Sequence, residues 1–263
     1  MAKIGLNSLF YAKLTEALDG TPSYDGAKSF GKAVSCDVNI SNNSAELYAD
    51  DALAESDTSF QKGVMTLGVD DDREATFADV LGHTVNDGEV VCNVNDVAPF
   101  VGVGRVCVKL VENVRLYKAE ICYKVKFAEP SQSDQTRGES VSFSTPSIEG
   151  NITALKNGDW RDSKTFATKA EAIAYIQSVF AVAGSTYRVN YDANGGSGTV
   201  NAQSVNVGSS VTLAVGTSLT PPSNKTFDGW ALTSGATEKE YSAGATYIPL
   251  RDTTFYAVWK SAT

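Results

Sequence analysis

Alternation of apolar and polar residues runs through most of residues 1–187 and predicts β-strands. The segments 105–111 and 120–127 each place an apolar side chain at every second position, as half-buried strands require. Glu112-Asn113 between them fits a tight turn, so the two segments should form a hairpin. Its polar face is expected to carry Arg105, Lys109, Lys124 and Lys126. A further strand at 34–40 places Val34, Cys36, Val38 and Ile40 on one face.

Two helices interrupt the predicted strands. Residues 73–81 carry apolar side chains at helical spacing, and Gly82 can supply a left-handed stop. The second helix starts at the capping box Thr168-Lys-Ala-Glu171 and ends by Gly184. We expect it to close the first domain. The polar residues 155–163 before it predict a turn rather than a strand.

Two polar segments lie between the strands of this part of the chain. The β-like stretches 45–49 and 59–67 flank an acidic segment without a basic residue, which favours a solvated loop. Its carboxylates are Asp50, Asp51, Glu55 and Asp57. Residues 128–138, with almost no apolar side chain, predict an exposed loop, and alternation resumes at 140–143.

Composition changes abruptly after Tyr187, where Gly, Ser, Thr, Val and aromatic residues become dominant. The segment 187–192 alternates as a strand, Asn194-Gly-Gly196 is a turn signal, and 203–207 and 210–215 are further short strands. The two large aromatics Trp230 and Trp259 are expected to anchor the core of this small unit rather than to bind sugars. A separate module therefore begins near residue 187.

The charge supports the same division. Residues 1–187 contain 17 Lys and Arg against 26 Asp and Glu, a net charge of −9, whereas residues 188–263 contain five of each. An acidic surface argues against a protein that neutralises nucleic-acid phosphates. It is compatible with a channel through which DNA slides without adhering.

Candidate chemistry is sparse. The four cysteines show no metal-ligand spacing, and we interpret Cys36, Cys92, Cys107 and Cys122 as reduced structural thiols. The lone His83 is interpreted as a solvated or capping side chain rather than a general base. Gly102-Val-Gly104 lacks the third glycine of a dinucleotide loop, and the acidic pairs lack the spacing of an EF-hand. We predict no enzymatic activity and no catalytic, cofactor-binding or metal-binding residue.

The N-terminal segment also bears on localisation. Gly5, Asn7 and Ser8 interrupt the apolar run that a secretory signal would need. No apolar run approaches the roughly 20 residues needed to span a bilayer, so no membrane association is expected. Assembly in a reducing cytoplasm is the expectation.

Several motifs of the first part occur in an order that resembles the major tail protein of long-tailed, non-contractile bacteriophages. They are Phe100-Val-Gly-Val-Gly104, Val125-Lys-Phe-Ala-Glu-Pro130, Gly138-Glu-Ser-Val-Ser-Phe143 and Thr145-Pro-Ser-Ile-Glu-Gly150. The likeness extends upstream through Ala45-Glu-Leu-Tyr-Ala-Asp-Asp51, Ala54-Glu-Ser-Asp57 and the opening Met1-Ala-Lys-Ile-Gly-Leu6. It covers roughly the first 180 residues.

This resemblance implies a tail tube domain: a β-sandwich or barrel with a flanking helix, closed into hexameric rings that stack into the DNA conduit. It also implies a tape measure protein and a tail terminator as partners, and double-stranded DNA that passes through the lumen without specific binding. The acidic segment near residue 50 would then reach a neighbouring subunit or ring. The basic residues of the predicted hairpin would face a neighbouring subunit.

The C-terminal part resembles the Listeria-Bacteroides repeat, known also from the B-repeats of internalin-like surface proteins. The motifs are Tyr191-Asp-Ala-Asn-Gly-Gly196, Phe227-Asp-Gly-Trp230, Tyr241 with Gly244, and Thr254-Phe-Tyr-Ala-Val-Trp259. The family implies a small β-grasp-like module, usual in surface-exposed proteins.

Together these observations predict a mainly β chain with α+β elements and two domains. Residues 1–184 would form the tail tube domain, and residues 185–263 a surface-displayed β-grasp-like module that aids weak adhesion. The expected location is the virion tail. The main alternative is a bacterial surface adhesin or fimbrial-type protein, for which no export or anchoring signal is apparent. An enzyme such as a glycosidase is a third class, but the sequence cannot show the carboxylate pair that it needs.

Overall fold

The computed structural model describes residues 2–49, 52–70, 74–131 and 145–262. Strands make up 54% of the chain and both helices are short, so the predicted mainly β fold is confirmed. The chain divides into two compact units, Met1–Ala172 and Ile173–Thr263. This division falls inside the second helix, whereas the sequence suggested a boundary at 184/185. The predicted strand at 140–143 lies outside the described residues.

The elements of the first unit follow one another in a simple order. They are β1 (Ala2–Glu16), β2 (Pro22–Tyr24), β3 (Lys28–Gly31), β4 (Ala33–Ala49), β5 (Ala52–Val69), α1 (Glu74–Leu81), β6 (Thr84–Asn86), β7 (Glu89–Val91), β8 (Val101–Val111), β9 (Val114–Phe127), β10 (Ser147–Ile152), β11 (Arg161–Phe166) and the start of α2 (Lys169–Val179).

The strand pairs of this unit form a closed ring. Antiparallel pairing joins β1, β8, β9, β10, β5 and β4 in that order. β3 pairs with β1, and only Lys32 separates β3 from β4. β3 and β4 are therefore two parts of one bent strand, and that strand closes the barrel. Closure removes most unpaired strand edges from the domain.

The bend at Lys32 is held by reciprocal bonds to Asp70. The Lys32 amide donates to Asp70 Oδ1 at 2.9 Å, and the Asp70 amide donates to the Lys32 carbonyl at 3.0 Å. The Lys32 ammonium also lies 3.6 Å from Asp70 Oδ2. We call this point the seam of the barrel. Of the acidic triplet 70–72, only Asp70 is described, and its role is structural.

The barrel core combines residues from its strands with three from α1. Its buried members include Leu9, Tyr11, Phe30, Met65, Leu67, Val69, Val101, Val103, Cys122, Val125, Phe127, Ile148 and Ile152, together with Phe77, Val80 and Leu81 of α1. Phe30 contacts the rings of Tyr11, Phe77 and Phe127 at centroid distances of 5.4, 6.2 and 5.5 Å. The helix thus covers part of the barrel interior, and Gly82, with φ of 83°, ends it as predicted.

Bulges change which side chains face inward. Val101 opposes Val125 and Val103 opposes Cys122, so β9 carries one extra residue at this point. As a result Cys122 and Val125 both belong to the core. Another shift, between Ala33 and Ser35 of β4, leaves Val34 exposed, although Cys36 and Val38 pack against the core. The prediction that 34–40 shares one buried face is thus only partly right.

Residues 155–163 were expected to be a turn, and this is wrong at their C-terminal end. β11 starts at Arg161 and pairs with β9 from Tyr117 to Cys122. Five of its six side chains are polar and four are exposed, so no alternation of apolar residues marks it. Its pairing with β9 over six residues defines the strand.

The second unit contains the rest of α2 and a small mixed sheet. Its strands are β12 (Thr186–Asp192), β13 (Ser197–Gly198), β14 (Gln203–Asn206), β15 (Val211–Thr212), β16 (Leu219–Thr220), β17 (Lys225–Ala231), β18 (Thr246–Tyr247) and β19 (Thr253–Ser261). The main sheet has the order β14-β12-β19-β17, in which β12 and β19 are parallel. A parallel central pair flanked by antiparallel strands agrees with the expected β-grasp-like topology.

Candidate functional site

An extended arm is the most prominent polar feature of the first unit. β4 and β5 pair continuously from the seam to Ala49 and Ala52. β10 pairs with β5 only over Gly63–Gly68, so the outer part of the hairpin is a two-stranded ribbon. Nine residues of β4, from Ser41 to Ala49, make it about 30 Å long at the usual rise per residue. We call this ribbon the arm.

Both faces of the arm are exposed. The described side chains of 41–46 and 55–59 are solvent-accessible, and the described pairs give the outer edges of the arm no partner. Glu46 and Glu55 lie on it, and the sequence has no Lys or Arg from 42 to 61. The expectation of a solvated acidic loop is wrong for residues 52–57, because they belong to β5, whereas the stretch 45–49 is part of a strand as predicted. Asp50 and Asp51 lie outside the described residues.

The base of the arm is fixed by aromatic stacking. The rings of Phe60 and Trp160 are parallel within 4° at a centroid distance of 4.3 Å. The Arg161 guanidinium lies 4.6 Å from the Trp160 ring centroid, in cation-π contact. This stack joins β5 to the start of β11, so the arm leaves the barrel from a rigid base.

The hairpin β8–β9 brings a buried ion pair inside the barrel. Arg105 and Glu120 oppose each other directly and are only 8% and 4% exposed. Arg105 Nε and Nη2 donate to Glu120 Oε2 at 3.0 and 2.8 Å, and the Lys118 ammonium contacts the other carboxylate oxygen. Burial raises the pKa of Glu120, but hydrogen bonds and charge from Lys118 and Arg105 outweigh it and lower the pKa to about 2.

This pair corrects the predicted polar face of the hairpin. Arg105 follows Val103 at an inward position, so it faces the barrel interior and not a neighbouring subunit. Lys124 binds Glu16 at 2.6 Å and stacks with Lys126 on the Phe100 ring. Of the four basic residues predicted for this face, Lys109 alone is partly exposed and has no such partner among the described contacts.

Three of the four cysteines gather near the buried pair. Cys36 Sγ accepts a hydrogen bond from Arg105, and Cys107 Sγ lies 3.8 Å from Glu120 Oε2. Burial raises the pKa of Cys36, and it raises the pKa of Cys122 to about 12. Such thiols stay protonated near neutral pH and react slowly. Cys92 is exposed, and none of the four cysteines forms a disulfide.

His83 is buried and ion-paired, so its interpretation as a solvated side chain is wrong. Its side chain is 7% exposed, with Nδ1 2.8 Å from Asp96 Oδ2 and Nε2 2.6 Å from Glu129 Oε1. The hydrogen bond to Asp96 is the main cause that raises the pKa of His83. His83 thus links the end of α1, the segment before β8 and the residues that follow β9.

A cleft on the first unit offers little chemistry. It has a volume of about 350 Å³ and lies along β1 and β3, where Ser8 has a positive φ of 43°. Lys32 is the one ionisable residue of its lining. Within residues 2–49, 52–70, 74–131 and 145–262, no group of acids, histidines and cysteines has the geometry of a metal site.

The described helices are too short and too polar to cross a membrane.

In the second unit, the large aromatics form the core. Trp230 is fully buried and donates from Nε1 to the Ala214 carbonyl at 2.7 Å, and its ring contacts Tyr191 and Phe227. Trp259 packs at the edge of the same core and donates to two backbone carbonyls at 3.0 Å. The expected anchoring role is confirmed for Trp230.

Comparison with known families agrees with this part of the structure. Residues 187–258 match the family model of the Listeria-Bacteroides repeat domain. The chain thus carries such a domain in its C-terminal unit. A search of curated proteins gives no match to the chain.

Proposed function

We propose that this protein is the structural subunit of a bacteriophage tail tube, which polymerises as stacked hexameric rings around a conduit for double-stranded DNA. The resemblance of the first 180 residues to major tail proteins motivates the proposal. The arm is the observation that carries it, because a two-stranded ribbon of about 30 Å with no core of its own is only marginally stable in water.

The arm would gain the most stability if a neighbouring subunit supplied a further strand. Its unpaired edges offer backbone donors and acceptors, and its faces carry carboxylates that keep free subunits from aggregating. Within a ring of identical subunits, each arm would meet the same surface of the next copy. The tape measure protein and the tail terminator would set the length and the end of the tube.

The net negative charge of residues 1–187 supports the proposal that the tube is a conduit for DNA. We expect part of this charge to line the lumen, where like charge keeps DNA from adhering. Reversal of lumen-facing acids should leave tube length unchanged and slow genome passage. A neutral or basic lumen, or normal infection by the reversed variants, would contradict this view.

Assembly can be tested with one arm variant. Replacing residues 44–58 by Asn-Gly leaves the partners Asn43 and Ser59 beside the new turn, keeps the barrel pairs between β4 and β5 and removes the arm. Light scattering and electron microscopy should find rings or tubes for the full chain and none for the shortened one. Hydrogen exchange of β8 and β9 checks that the barrel remains folded. A full chain that stays monomeric at all concentrations and salts, even with tail partners supplied, would overturn the proposal.

The C-terminal module is proposed to be exposed on the outside of the tube and dispensable for assembly. Many copies along a tail could adhere to a host surface through weak individual contacts. A chain that ends at Ser185 should still form tubes of normal diameter with smoother walls. That cut removes the Leu250 carbonyl to which Gln177 donates, so circular dichroism must first establish that the remaining chain is folded.

A bacterial surface adhesin is the second candidate, favoured by the Listeria-Bacteroides repeat domain at 187–258. This function predicts a monomer that binds cells through its C-terminal unit. Tube formation by the purified protein would argue against it, and cell binding without any polymer would favour it.

A further inference from the structure

An exposed apolar surface precedes β8. β6 and β7 form a two-stranded sheet that pairs with no other described strand, and the chain then continues to Phe100. We call residues 84–97 the valine hairpin. Its exposed apolar side chains are Val85 (43%), Val91 (44%), Val94 (98%) and Val97 (72%). Four exposed valines within 13 residues are typical of an interaction surface.

The valine hairpin is held firmly on the barrel. Asp96 binds both the Nδ1 of His83 and the Asn93 amide at 2.8 Å. Gly82 approaches the same segment so closely that a Cβ on it would lie 2.4 Å from the Val97 carbonyl oxygen. The apolar side chains therefore point outward from a fixed backbone.

The charge of this surface has one sign. Asp87 and Glu89 are exposed at the turn of the hairpin. The sequence has no Lys or Arg between residues 84 and 100. A partner for this surface needs exposed apolar side chains with basic residues beside them.

The turn between β8 and β9 has these properties. We call residues 109–115 the basic tip. Leu110 and Val114 are 36% and 57% exposed, and Lys109 and Arg115 flank them against the single acid Glu112. The turn is rigid, because Glu112 and Asn113 both have positive φ, as a type I′ hairpin requires.

The two surfaces lie at opposite ends of one strand. β8 begins at Val101, just after the valine hairpin, and ends at Val111 in the basic tip. Its 11 residues separate the two surfaces by about 35 Å. They cannot meet within one chain, since β8 is a continuous strand of the barrel.

We propose that the valine hairpin of one copy packs on the basic tip of the next copy, head to tail. The contact buries valines against Leu110 and Val114 and pairs Glu89 or Asp87 with Lys109 or Arg115. Because two different surfaces meet, the contact is heterologous and repeats from copy to copy. It deepens the proposed tube function, which needs a repeating contact, by naming the two surfaces that meet.

Two variants, each altered in one of the two surfaces, test the contact independently of tube formation. Val94→Lys places a cation that repels the basic tip, and Val114→Glu places an anion that repels the valine hairpin. Each full-length variant should be monomeric alone. A 1:1 mixture should associate, because one variant keeps its tip and the other its hairpin. Val215→Lys in the C-terminal unit, exposed to 56% like Val114, is the matched control and should behave as the unchanged chain. Analytical ultracentrifugation measures all four samples.

A cross-link tests the register of the same contact. The exposed Cys92 lies within the valine hairpin, so Val114→Cys should give disulfide-linked multimers under mild oxidation, and Cys92→Ser should abolish them.

The outcomes separate the two proposals. A mixture that fails to associate while both variants fold, or tubes that form normally from either variant, would overturn the contact and leave the tube function standing. Association of the mixture together with an unchanged chain that forms no tube would support the contact and reject the tube.

Discussion

Replacing Glu120 by Gln should destabilise the barrel by about 3 kcal/mol. The folded protein lowers the pKa of Glu120 from its ordinary value of 4.5 to about 2, and each pKa unit corresponds to about 1.4 kcal/mol. The loss of one partner from a buried ion pair has a typical cost of the same size, about 3–5 kcal/mol. Gln cannot neutralise Arg105, which stays buried beside it at 8% exposure.

The sign of the pH dependence follows from the lowered pKa. Glu120 contributes its full stability above pH 4.5 and loses it as the pH falls toward 2, because the carboxyl is protonated more readily in the unfolded chain. The Glu120→Gln variant lacks this contribution. The difference in the free energy of unfolding between the variant and the unchanged protein should therefore decrease steadily as the pH falls from 4.5 to 2.

Hydrogen exchange with mass spectrometry is the suitable assay, since the chain has two units and a single melting curve would mix them. Amides of β8 and β9 should exchange roughly 100-fold faster in the variant at neutral pH. β12 and β19 belong to the other unit and serve as an internal control. Glu149→Gln, at an exposed position of β10, is the matched substitution and should change little. Exchange in β8 and β9 within threefold of the unchanged protein would refute the assigned role of the pair.

Three further results are expected. His83→Gln should remove a stabilisation that is complete below pH 6.5 and is lost as the pH rises through the raised pKa of the bound imidazole; the ratio of the β8 and β9 exchange rates in the variant and the unchanged protein between pH 6 and 9 tests this, and a constant ratio would contradict it. Gly150→Ala should destabilise the barrel by about 1–3 kcal/mol, measured by hydrogen exchange of β8 and β9, because the new methyl would lie 2.8 Å from a ring carbon of Phe127; unchanged exchange would mean that the strand can shift. Trp230→Ala should lower the free energy of unfolding of the C-terminal unit by about 3–5 kcal/mol, while hydrogen exchange in β8 stays constant. An equal loss of stability in the barrel would contradict the expectation that the two units unfold independently.

Features with local causes could be predicted from the sequence. The capping box is confirmed, since the Glu171 amide donates to Thr168 Oγ1 at 3.3 Å and the Thr168 amide donates to Glu171 at 2.9 Å. The turn of the β8–β9 hairpin is confirmed as well. In both cases a few adjacent residues decide the conformation, so a short window of sequence contains the whole cause.

The inward direction of Arg105 had no such local cause. Arg105 lies on the same face of β8 as the core residues Val101 and Val103, but the segment 105–111 read by itself places the apolar side chains on the other face. On β9, one extra residue between Cys122 and Val125 exchanges the two faces, so Glu120 comes to oppose Arg105. Alternation within each segment therefore assigned the wrong face. Residues 52–57 of the arm were not predicted as a strand for another reason: the described side chains of the arm are exposed, and without a buried face a strand has no period of two to detect.

Only part of the candidate site could be predicted from the sequence. The acidic composition of the arm was apparent, but the pairing of its two strands was not. His83 meets its partners 13 and 46 positions further along the chain, and no spacing rule connects them. The valines at 85–97 are visible in the sequence, yet their exposure follows from a hairpin that folds away from the core.

The seam at Lys32 has a mechanical consequence. The strand that closes the barrel continues without interruption into the arm, so tension on the arm is carried along one backbone to the bonds between Lys32 and Asp70. A neighbouring subunit bound to the arm would therefore pull on the hydrogen bonds of the seam before it distorts the barrel core. A force applied at the tip of the arm would therefore act on the closure of the barrel from about 55 Å away, the length of the 17 residues of β4.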